Sequence, residues 1–297
     1  MKCDLCPRKC LVDRKKGEKG ICGQTENLKV ARAALHFWEE PCISGDAGSG
    51  AVFFSGCPLH CVFCQNENIA NGTVGKEISL ERLVDIFLEL QEKRANNINL
   101  VTPGHFVPQI VKALDQARKE GLTLPVVYNT SSYETVDTIK MLEGYVDIYL
   151  PDFKYMSPGL SKKYSHAPDY AEVAKAAIAE MVRQTGKAVF VNGDEDNLIL
   201  RGTIVRHLTL PGCMADSMQI LKYLHETYGD MIYISIMNQF TPLSNLEKYP
   251  ELNRRITDVE YETLVGYAID IGIENGFIQE GNTAEESFIP AFDCEGV

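Results

Sequence analysis

Three cysteines, Cys57, Cys61 and Cys64, stand at a C-x3-C-x2-C spacing directly after the apolar run 51–54. Three nearby thiolates can each hold one iron of a cubane iron–sulfur cluster. Because a [4Fe–4S] cluster has four irons, three protein ligands leave one iron open. An open iron can bind a small molecule and pass it an electron, so this spacing indicates a cofactor site. The alternative is a zinc site that His60 completes.

A second group of cysteines lies in residues 1–24, where Cys3, Cys6, Cys10 and Cys22 give C-x2-C-x3-C-x11-C. This segment has too few large apolar residues to form a core, so we expect a crosslink. Four thiolates suit a tetrahedral zinc ion, a single iron or a second cluster. The spacing matches no standard zinc knuckle or ferredoxin run and favours zinc or a single iron slightly; four free thiols are the remaining alternative.

Composition sets the class of protein and its surroundings. The chain has 297 residues, a net charge of −12 and 45% hydrophobic residues. Such an acidic chain lacks the clustered cations that grip nucleic acid. The one basic run, 14–16 with Lys19, is expected to be a solvated loop face. No window reaches the ~20 apolar residues of a membrane span, and ten cysteines without an export signal predict a reducing compartment, the cytoplasm. We expect Cys42, Cys213 and Cys294 to be structural or incidental.

From residue 51 onward, short apolar runs alternate with helical patterns. Nearly continuous apolar character is typical of buried parallel strands. The predicted strands are 51–55, 97–102, 124–129, 146–150, 203–210 and 231–237. The predicted helices are 79–95, 107–120, 134–143, 171–185, 215–228 and 257–275. This alternation predicts an α/β fold, with too few units for a complete eight-fold barrel but enough for a curved, partly open (β/α)6 barrel.

The barrel is flanked by two smaller parts. Residues 1–45 form the Cys-rich metal-binding segment and a bridge, in which 29–38 could be a strand or a short helix. Residues 46–275 form the barrel. Residues 276–297 form a tail whose apolar stretch 288–293 we expect to fold back over the barrel.

Polar residues follow each predicted strand, as expected where chemistry collects at the carboxyl ends of parallel strands. The first strand ends in the three-cysteine loop, and the next three are followed by Thr102-Pro103-Gly104-His105, by Asn129-Thr130-Ser131-Ser132, and by Asp152 and Lys154. The fifth strand carries Arg206 and His207 and ends in Pro211-Gly212-Cys213, and the last ends in Asn238-Gln239. A pocket ringed by these groups would bind a polar, charged small molecule. Each group also has a purely structural interpretation: a turn at 102–104, a helix N-cap at 129–132, an ion pair of Asp152 with Lys154, and a hydrogen-bonded core histidine at 207.

Taken together, these residues resemble those of the radical S-adenosylmethionine (SAM) enzymes. Cys57, Cys61 and Cys64 match the cluster motif of that superfamily, including an aromatic residue, Phe63, before the last cysteine. The resemblance implies a partial (β/α)6 barrel and a [4Fe–4S] cluster whose open iron chelates SAM. It also implies reductive cleavage of SAM to a 5′-deoxyadenosyl radical that abstracts a hydrogen atom.

Within that superfamily, the sequence resembles the pyruvate formate-lyase activating enzyme-like group, which activates glycyl radical enzymes. The resemblance rests on Asp152-Phe153-Lys154, on Val205-Arg206-His207-Leu208 running into Pro211-Gly212, and on the N-terminal cysteines. It implies a glycyl radical protein or a peptide as substrate, and a flavodoxin- or ferredoxin-type electron donor. Modification of a peptide or a small metabolite is the alternative inside this class. An iron–sulfur electron carrier or a zinc-stabilised binding module would not explain why the motif stops at three cysteines.

The resemblance also assigns residues to SAM. Phe63 would contact the adenine, and the turn Thr102-Pro103-Gly104 the amino group. The ribose, carboxylate and methionyl parts would be contacted by Asn129, Ser131, Asp152, Lys154 and His207. Asp152 and Lys154 would be the catalytic pair. Arg206 alternates with His207 and is predicted to lie outside the pocket. A Gly-Gly-Glu-like turn is usual after the second strand; here Thr102-Pro103-Gly104-His105 replaces it, so backbone carbonyls or Thr102 would bind the amino group.

Overall fold

A computed structural model describes residues 2–195, 197–242, 246–279 and 290–297, and these form one ten-stranded sheet flanked by helices. Its centre is a run of parallel strands in which each strand hydrogen-bonds to the next. These strands are β2 (Ser49–Phe54), β4 (Ile98–Val101), β5 (Val126–Thr130), β6 (Ile148–Pro151), β8 (Ile199–Leu208) and β9 (Tyr233–Met237). All six predicted strands are therefore confirmed, in an α/β fold with a mostly parallel sheet.

Four further strands extend the sheet beyond the predicted six. They are β1 (Leu28–His36), β3 (Lys76–Ile78), β7 (Val189–Phe190) and β10 (Gly276–Ile278). β1 pairs antiparallel with β2 and β3, so the bridge within residues 1–45 is a strand and belongs to the same sheet as the barrel. β10 adds a parallel strand beyond β9. The described strands run in the order β10-β9-β8-β6-β5-β4-β2-β1-β3, with β7 on the side of β8.

The helices lie between these strands and include the six that the sequence predicts. They are α1 (Pro41–Ser44), α2 (Glu67–Ala70), α3 (Leu80–Glu92), α4 (Val107–Lys119), α5 (Val136–Lys140), α6 (Pro158–Ser165), α7 (Tyr170–Thr185), α8 (Met214–Tyr228) and α9 (Asp258–Asp270). The start of α3 shows how sequence sets a boundary. The Ser79 hydroxyl accepts a hydrogen bond from Arg82 N at 3.1 Å, which satisfies one of the free N–H groups of the first turn.

The long helices bury one apolar face against the sheet. In α3, Leu83, Val84 and Phe87 are buried, and in α4, Ile110 and Leu114 are buried. Each such side chain stabilises the fold by about 1.5–3 kcal/mol relative to full exposure. The helices therefore hold the parallel strands in place, and the loops at the strands' carboxyl ends meet on one side.

The described end of the chain, residues 290–297, packs along β1. Ala33 N donates to Glu295 O at 2.9 Å, and Cys294 N donates to Ala31 O at 3.0 Å. Phe292 meets Phe53 of β2 edge-on, with ring centroids 5.5 Å apart. Residues 288 and 289, also predicted to fold back, lie outside the described residues.

Candidate active site

A cavity of about 340 Å3 opens at the carboxyl ends of the parallel strands. Nine of the predicted site residues line it: Cys57, Cys61, Phe63, Cys64, Thr102, Asn129, Ser131, Asp152 and Lys154. Three strands and the loop after β2 thus bring thiols, amide, hydroxyl, carboxylate and ammonium groups to one space. A polar, charged small molecule fits this lining.

The loop after β2 is shaped by its backbone and by two hydrogen bonds to sulfur. Gly56 has φ +93°, and a Cβ there would lie 2.5 Å from the carbonyl oxygen of Cys22, so only glycine fits. Leu59 N donates to Cys57 Sγ at 3.4 Å, and Ser165 Oγ donates to Cys61 Sγ at 3.1 Å. Donors aimed at sulfur stabilise thiolate, the form that binds iron.

The three thiols of this loop are free cysteines in buried surroundings. Burial raises the pKa of Cys57, Cys61 and Cys64, and the nearby ammonium of Lys154 opposes this rise in all three. A bound metal deprotonates a coordinating thiol outright. Three buried thiols with sulfur-directed donors and a neighbouring cation therefore fit the three protein ligands of a [4Fe–4S] cluster. His60 is not part of this set, because its Nε2 lies 2.8 Å from Ile21 O.

Lys154 and Asp152 form a close ion pair beside the thiols. Lys154 Nζ lies 2.6 Å from Asp152 Oδ2. Burial alone would raise the pKa of Asp152, but the charges of Lys154 and Arg206 outweigh burial and lower it. Burial likewise disfavours charge on Lys154, but Asp152 and Cys61 raise its pKa overall. The pair is therefore ionised and presents an ammonium group to the thiol end of the cavity.

Arg206 lies inside the cavity, which corrects the prediction that placed it outside. Its guanidinium donates to Asp152 Oδ1 at 3.0 Å, to Glu39 Oε2 at 3.0 Å and to Asn129 Oδ1 at 2.6 Å. His207 is the residue that lies outside. Its ring nitrogens lie 2.7 Å from Phe153 O and 2.8 Å from Ser217 Oγ, between β8 and α8. The two side chains point to opposite faces of β8 as predicted, but Arg206 faces the cavity and His207 faces away from it.

The turn after β4 places only one of its three predicted residues on the cavity. Thr102 lines it with φ +56°, a left-handed conformation that is strained for a β-branched residue. Pro103 and Gly104 are not among the lining residues. Gly104 instead packs against the carboxyl group of Glu134, which a Cβ at this position would meet at 2.9 Å. The strained backbone at Thr102 brings its peptide groups to the cavity wall.

Phe63 lines the cavity from within an aromatic group. Its ring centroid lies 5.8 Å from that of Phe240, 6.4 Å from Tyr155 and 6.5 Å from Tyr164. Edge contacts of this kind hold the ring in one orientation. The structure thus fixes Phe63 where it can present an apolar surface to a ligand.

Glu39 and Glu40 line the cavity as well, and the sequence interpretation missed both. Glu39 Oε1 accepts from Asn99 Nδ2 and Asn129 Nδ2, each at 3.1 Å. The only signal in the sequence was a pair of carboxylates before a proline, which reads equally well as the end of a regular element. Part of the cavity lining therefore comes from the loop before α1, which does not follow a parallel strand and so could not be found by looking at strand ends.

The four N-terminal cysteines lie near one another. Burial, with the neighbouring thiols of Cys22, Cys10 and Cys3, raises the pKa of the Cys6 thiol to about 12. Ile21 N donates to Cys10 Sγ at 3.2 Å. Within the described ranges, however, no three His, Cys, Asp or Glu side chains are gathered as ligands around a single metal ion. A cubane cluster does not require its thiolates to meet at one metal ion, because each thiolate binds its own iron. A zinc or single-iron site at the N-terminal cysteines does require this, and it stays a prediction.

Comparisons with known proteins agree with this architecture. Residues 51–197, which include Cys57, Cys61 and Cys64, match the family model of the radical SAM superfamily. This part of the chain, which holds the three site cysteines, is therefore similar to the radical SAM superfamily.

The relatives are distant. The chain is 27% identical over 269 residues to an uncharacterized protein of Methanocaldococcus jannaschii, covering 88% of this chain and 72% of that protein. SuiB of Streptococcus suis bound to SAM superposes with a TM-score of 0.52 at 13% identity, over 77% of this chain and 49% of that one. HydG, a maturase of the [FeFe]-hydrogenase, gives a TM-score of 0.51 at 15% identity, over 76% and 50%. This chain thus spans about half the length of these two structures, and the likeness shows the fold.

Among the described residues, no helix combines the length and apolar character needed to span a bilayer.

Proposed function

We propose that this protein is a radical SAM enzyme that activates a glycyl radical protein. The observation that carries the radical chemistry is the position of Cys57, Cys61 and Cys64 at one end of a cavity that also holds the ionised pair Lys154 and Asp152. When bound and reduced by one electron, the [4Fe–4S] cluster and SAM supply a 5′-deoxyadenosyl radical. Hydrogen transfer from a substrate C–H bond to that radical leaves 5′-deoxyadenosine and a substrate radical.

The residues of this chain would bind and orient SAM. Lys154 offers an ammonium group to the carboxylate of SAM, and Asp152 keeps that ammonium charged. Backbone carbonyls at the strained Thr102 would accept hydrogen bonds from the amino group of SAM, because that turn has no acidic side chain to do so. Phe63 would present its ring to the adenine. Asn129 and Ser131 would contact the polar parts of the ligand from the wall of the cavity.

A protein glycine is the specific target we propose. Support comes from Asp152-Phe153-Lys154 and from the stretch 205–212, both of which resemble activators of glycyl radical enzymes. In this form the glycine Cα–H bond breaks, and its hydrogen atom goes to the 5′ carbon. The electron that starts the reaction would come from a flavodoxin- or ferredoxin-type protein. Cubane clusters with an open iron are oxidised by O2, so a reducing compartment, the cytoplasm, suits this chemistry.

The test is anaerobic reconstitution with iron and sulfide, reduction, and addition of SAM. We expect 5′-deoxyadenosine from the parent protein and none from Cys61→Ala. Cys213→Ala is the matched control, because Cys213 does not line the cavity, and it should keep the activity. A glycyl radical EPR signal on a candidate partner would support the glycine target. Modification of a peptide or a small metabolite without that signal would move the assignment to the alternative.

We also propose that Cys3, Cys6, Cys10 and Cys22 bind a second metal. Their mutual proximity supports it. Metal analysis of a Cys57/Cys61/Cys64→Ala triple variant reports on this site alone. We expect about one zinc or iron per chain; a metal-free triple variant would show that these four thiols are free.

A further inference from the structure

The N-terminal cysteine segment, residues 2–24, carries a charge opposite to that of the whole chain. It has seven Lys and Arg against three Asp and Glu, in a chain whose net charge is −12. Five lysines of the segment are exposed: Lys2, Lys9, Lys15, Lys16 and Lys19. The segment is therefore a cationic surface on an acidic protein, and it attracts acidic partners over distances of about a Debye length.

Two apolar side chains project from the same segment. Leu11 is 53% exposed and Ile21 is 51% exposed. Their backbones are linked through Cys10, the residue before Leu11, because Ile21 N donates to its sulfur at 3.2 Å. An apolar centre with charged surroundings is the composition of small, transient protein interfaces.

The segment is attached directly to the loop that holds the three site cysteines. Arg8 donates to Pro58 O and to Ser165 O, both at 2.9 Å. His60, inside the loop, lies 2.8 Å from Ile21 O. Exposed Ile21 is thus hydrogen-bonded to His60, the residue directly before the site cysteine Cys61.

A second cavity of about 280 Å3 opens beside these contacts, with His60 in its lining. It is lined by His60, Cys61, Val62, Cys64, Glu67, Ala70, Asn71, Lys248 and Tyr249. Cys61 and Cys64 line both cavities. Two of the three site cysteines can therefore be reached from this second cavity as well as from the SAM cavity.

We propose that the N-terminal cysteine segment is the docking surface for a small acidic one-electron carrier protein. The electron passes from the reduced cofactor of the carrier to the cluster at Cys57, Cys61 and Cys64, and no bond forms or breaks in this step. The inference rests on the proposed function, since it gives that cluster its electron. It adds a defined surface to the reaction: lysines that steer the partner, and Leu11 and Ile21 that contact it.

The test reverses charge on the segment and compares two reductants. The variant is Lys15→Glu/Lys16→Glu/Lys19→Glu. The matched control is Lys93→Glu/Lys112→Glu/Lys119→Glu, which changes three exposed lysines, one directly after α3 and two on α4, by the same total charge. Reduction of the reconstituted cluster is followed by its visible absorbance, once with a reduced acidic flavodoxin and once with dithionite. Salt dependence is recorded for the parent and for both variants.

We expect the segment variant to be reduced at least roughly tenfold more slowly by flavodoxin, with a flatter salt dependence, because steering raises association rates by about 10- to 1,000-fold. Its rate with dithionite should equal that of the parent, which also shows that the loop is intact. Equal flavodoxin rates in parent and variant, or an equal loss in the control, would overturn the proposal. Because reduction is measured before SAM is added, a failure of SAM cleavage would count against the proposed function alone.

Discussion

Arg206 Nε donates to Asp152 Oδ1 across 3.0 Å, and this contact joins β8 to the end of β6 inside the cavity. The same guanidinium reaches Glu39 at 3.0 Å, from the loop that closes the cavity floor. Burial disfavours a charged guanidinium, but Asp152 and Glu39 raise the pKa of Arg206. One cation therefore compensates two buried carboxylates that come from distant parts of the chain.

Replacing Arg206 by methionine should destabilise the protein strongly. Asp152 and Glu39 would each lose a buried partner, and breaking such a pair costs about 3–5 kcal/mol. Urea unfolding of the parent and Arg206→Met measures the change in unfolding free energy. Arg183→Met is the control, since Arg183 is 51% exposed in its ion pairs, and it should cost less than about 1 kcal/mol. Equal effects of the two substitutions would contradict the compensating role of Arg206.

The exchange of Arg206 and His207 shows what a strand pattern can and cannot predict. Alternation along β8 follows from backbone geometry, so opposite faces were predictable. Which face turns inward depends on the partner that each side chain finds. Arg206 finds Glu39, 167 positions earlier in the chain, and His207 finds Ser217 on α8. The contact of Arg206 with Glu39 spans too much of the chain to leave a local signal in the sequence.

The six parallel strands were predictable for a complementary reason. Strands that are buried on both faces have nearly continuous apolar runs, and all six residues of β2 are buried. β1 alternates irregularly between buried and half-buried positions, so its sequence fits a strand or a helix equally well. β3 and β10 are three residues each, too short to give a periodic pattern. The three site cysteines were found because their chemistry lies in their spacing, whereas Glu39 was missed because its position depends on tertiary structure.

Removing the hydroxyl of Ser165 should lower the reduction potential of a cluster at this loop. Its hydrogen bond to Cys61 Sγ stabilises the more negative, reduced state. A hydrogen bond to a charged group contributes about 1.5–3 kcal/mol, and because the bond is present in both oxidation states, the shift is at most on the order of 60–130 mV for one electron. Potentiometric EPR titration of Ser165→Ala measures this shift. Ser161→Ala is the control, because Ser161 Oγ donates to Pro158 O and not to sulfur. A potential equal to that of the parent would contradict the prediction.

Acid should destabilise the protein partly through His207. Burial lowers the pKa of His207 to about 4, against about 6.5 in an unfolded chain. Between these values the unfolded state binds the proton and the native ring does not, so stability falls as the pH falls. The loss reaches on the order of 3 kcal/mol near pH 4. Unfolding free energies from about pH 7.5 to 4.5 should fall less steeply in His207→Gln than in the parent.

The same variant tests where His207 lies. Because its ring bonds Phe153 and Ser217 outside the cavity, SAM affinity in His207→Gln should stay within about twofold of the parent, or less than about 0.4 kcal/mol. A tenfold loss of SAM affinity, with an unchanged pH dependence of the unfolding free energy, would instead support the predicted position of His207 in the SAM site.

Phe292 should couple the tail to the cavity, because it packs on Phe53, which lines that cavity. We expect Phe292→Ala to lower the unfolding free energy by about 1–2 kcal/mol, less than a fully buried ring would cost because Phe292 is half-buried. Val259→Ala, at a position that is 72% exposed, is the control and should change it by less than about 0.5 kcal/mol. Loss of the Phe292 ring also frees Phe53 to move, so the dissociation constant of SAM, measured by calorimetry on the reconstituted protein, should rise by roughly threefold to tenfold. A destabilised variant with unchanged SAM affinity would show that the tail supports β1 and β2 without shaping the cavity.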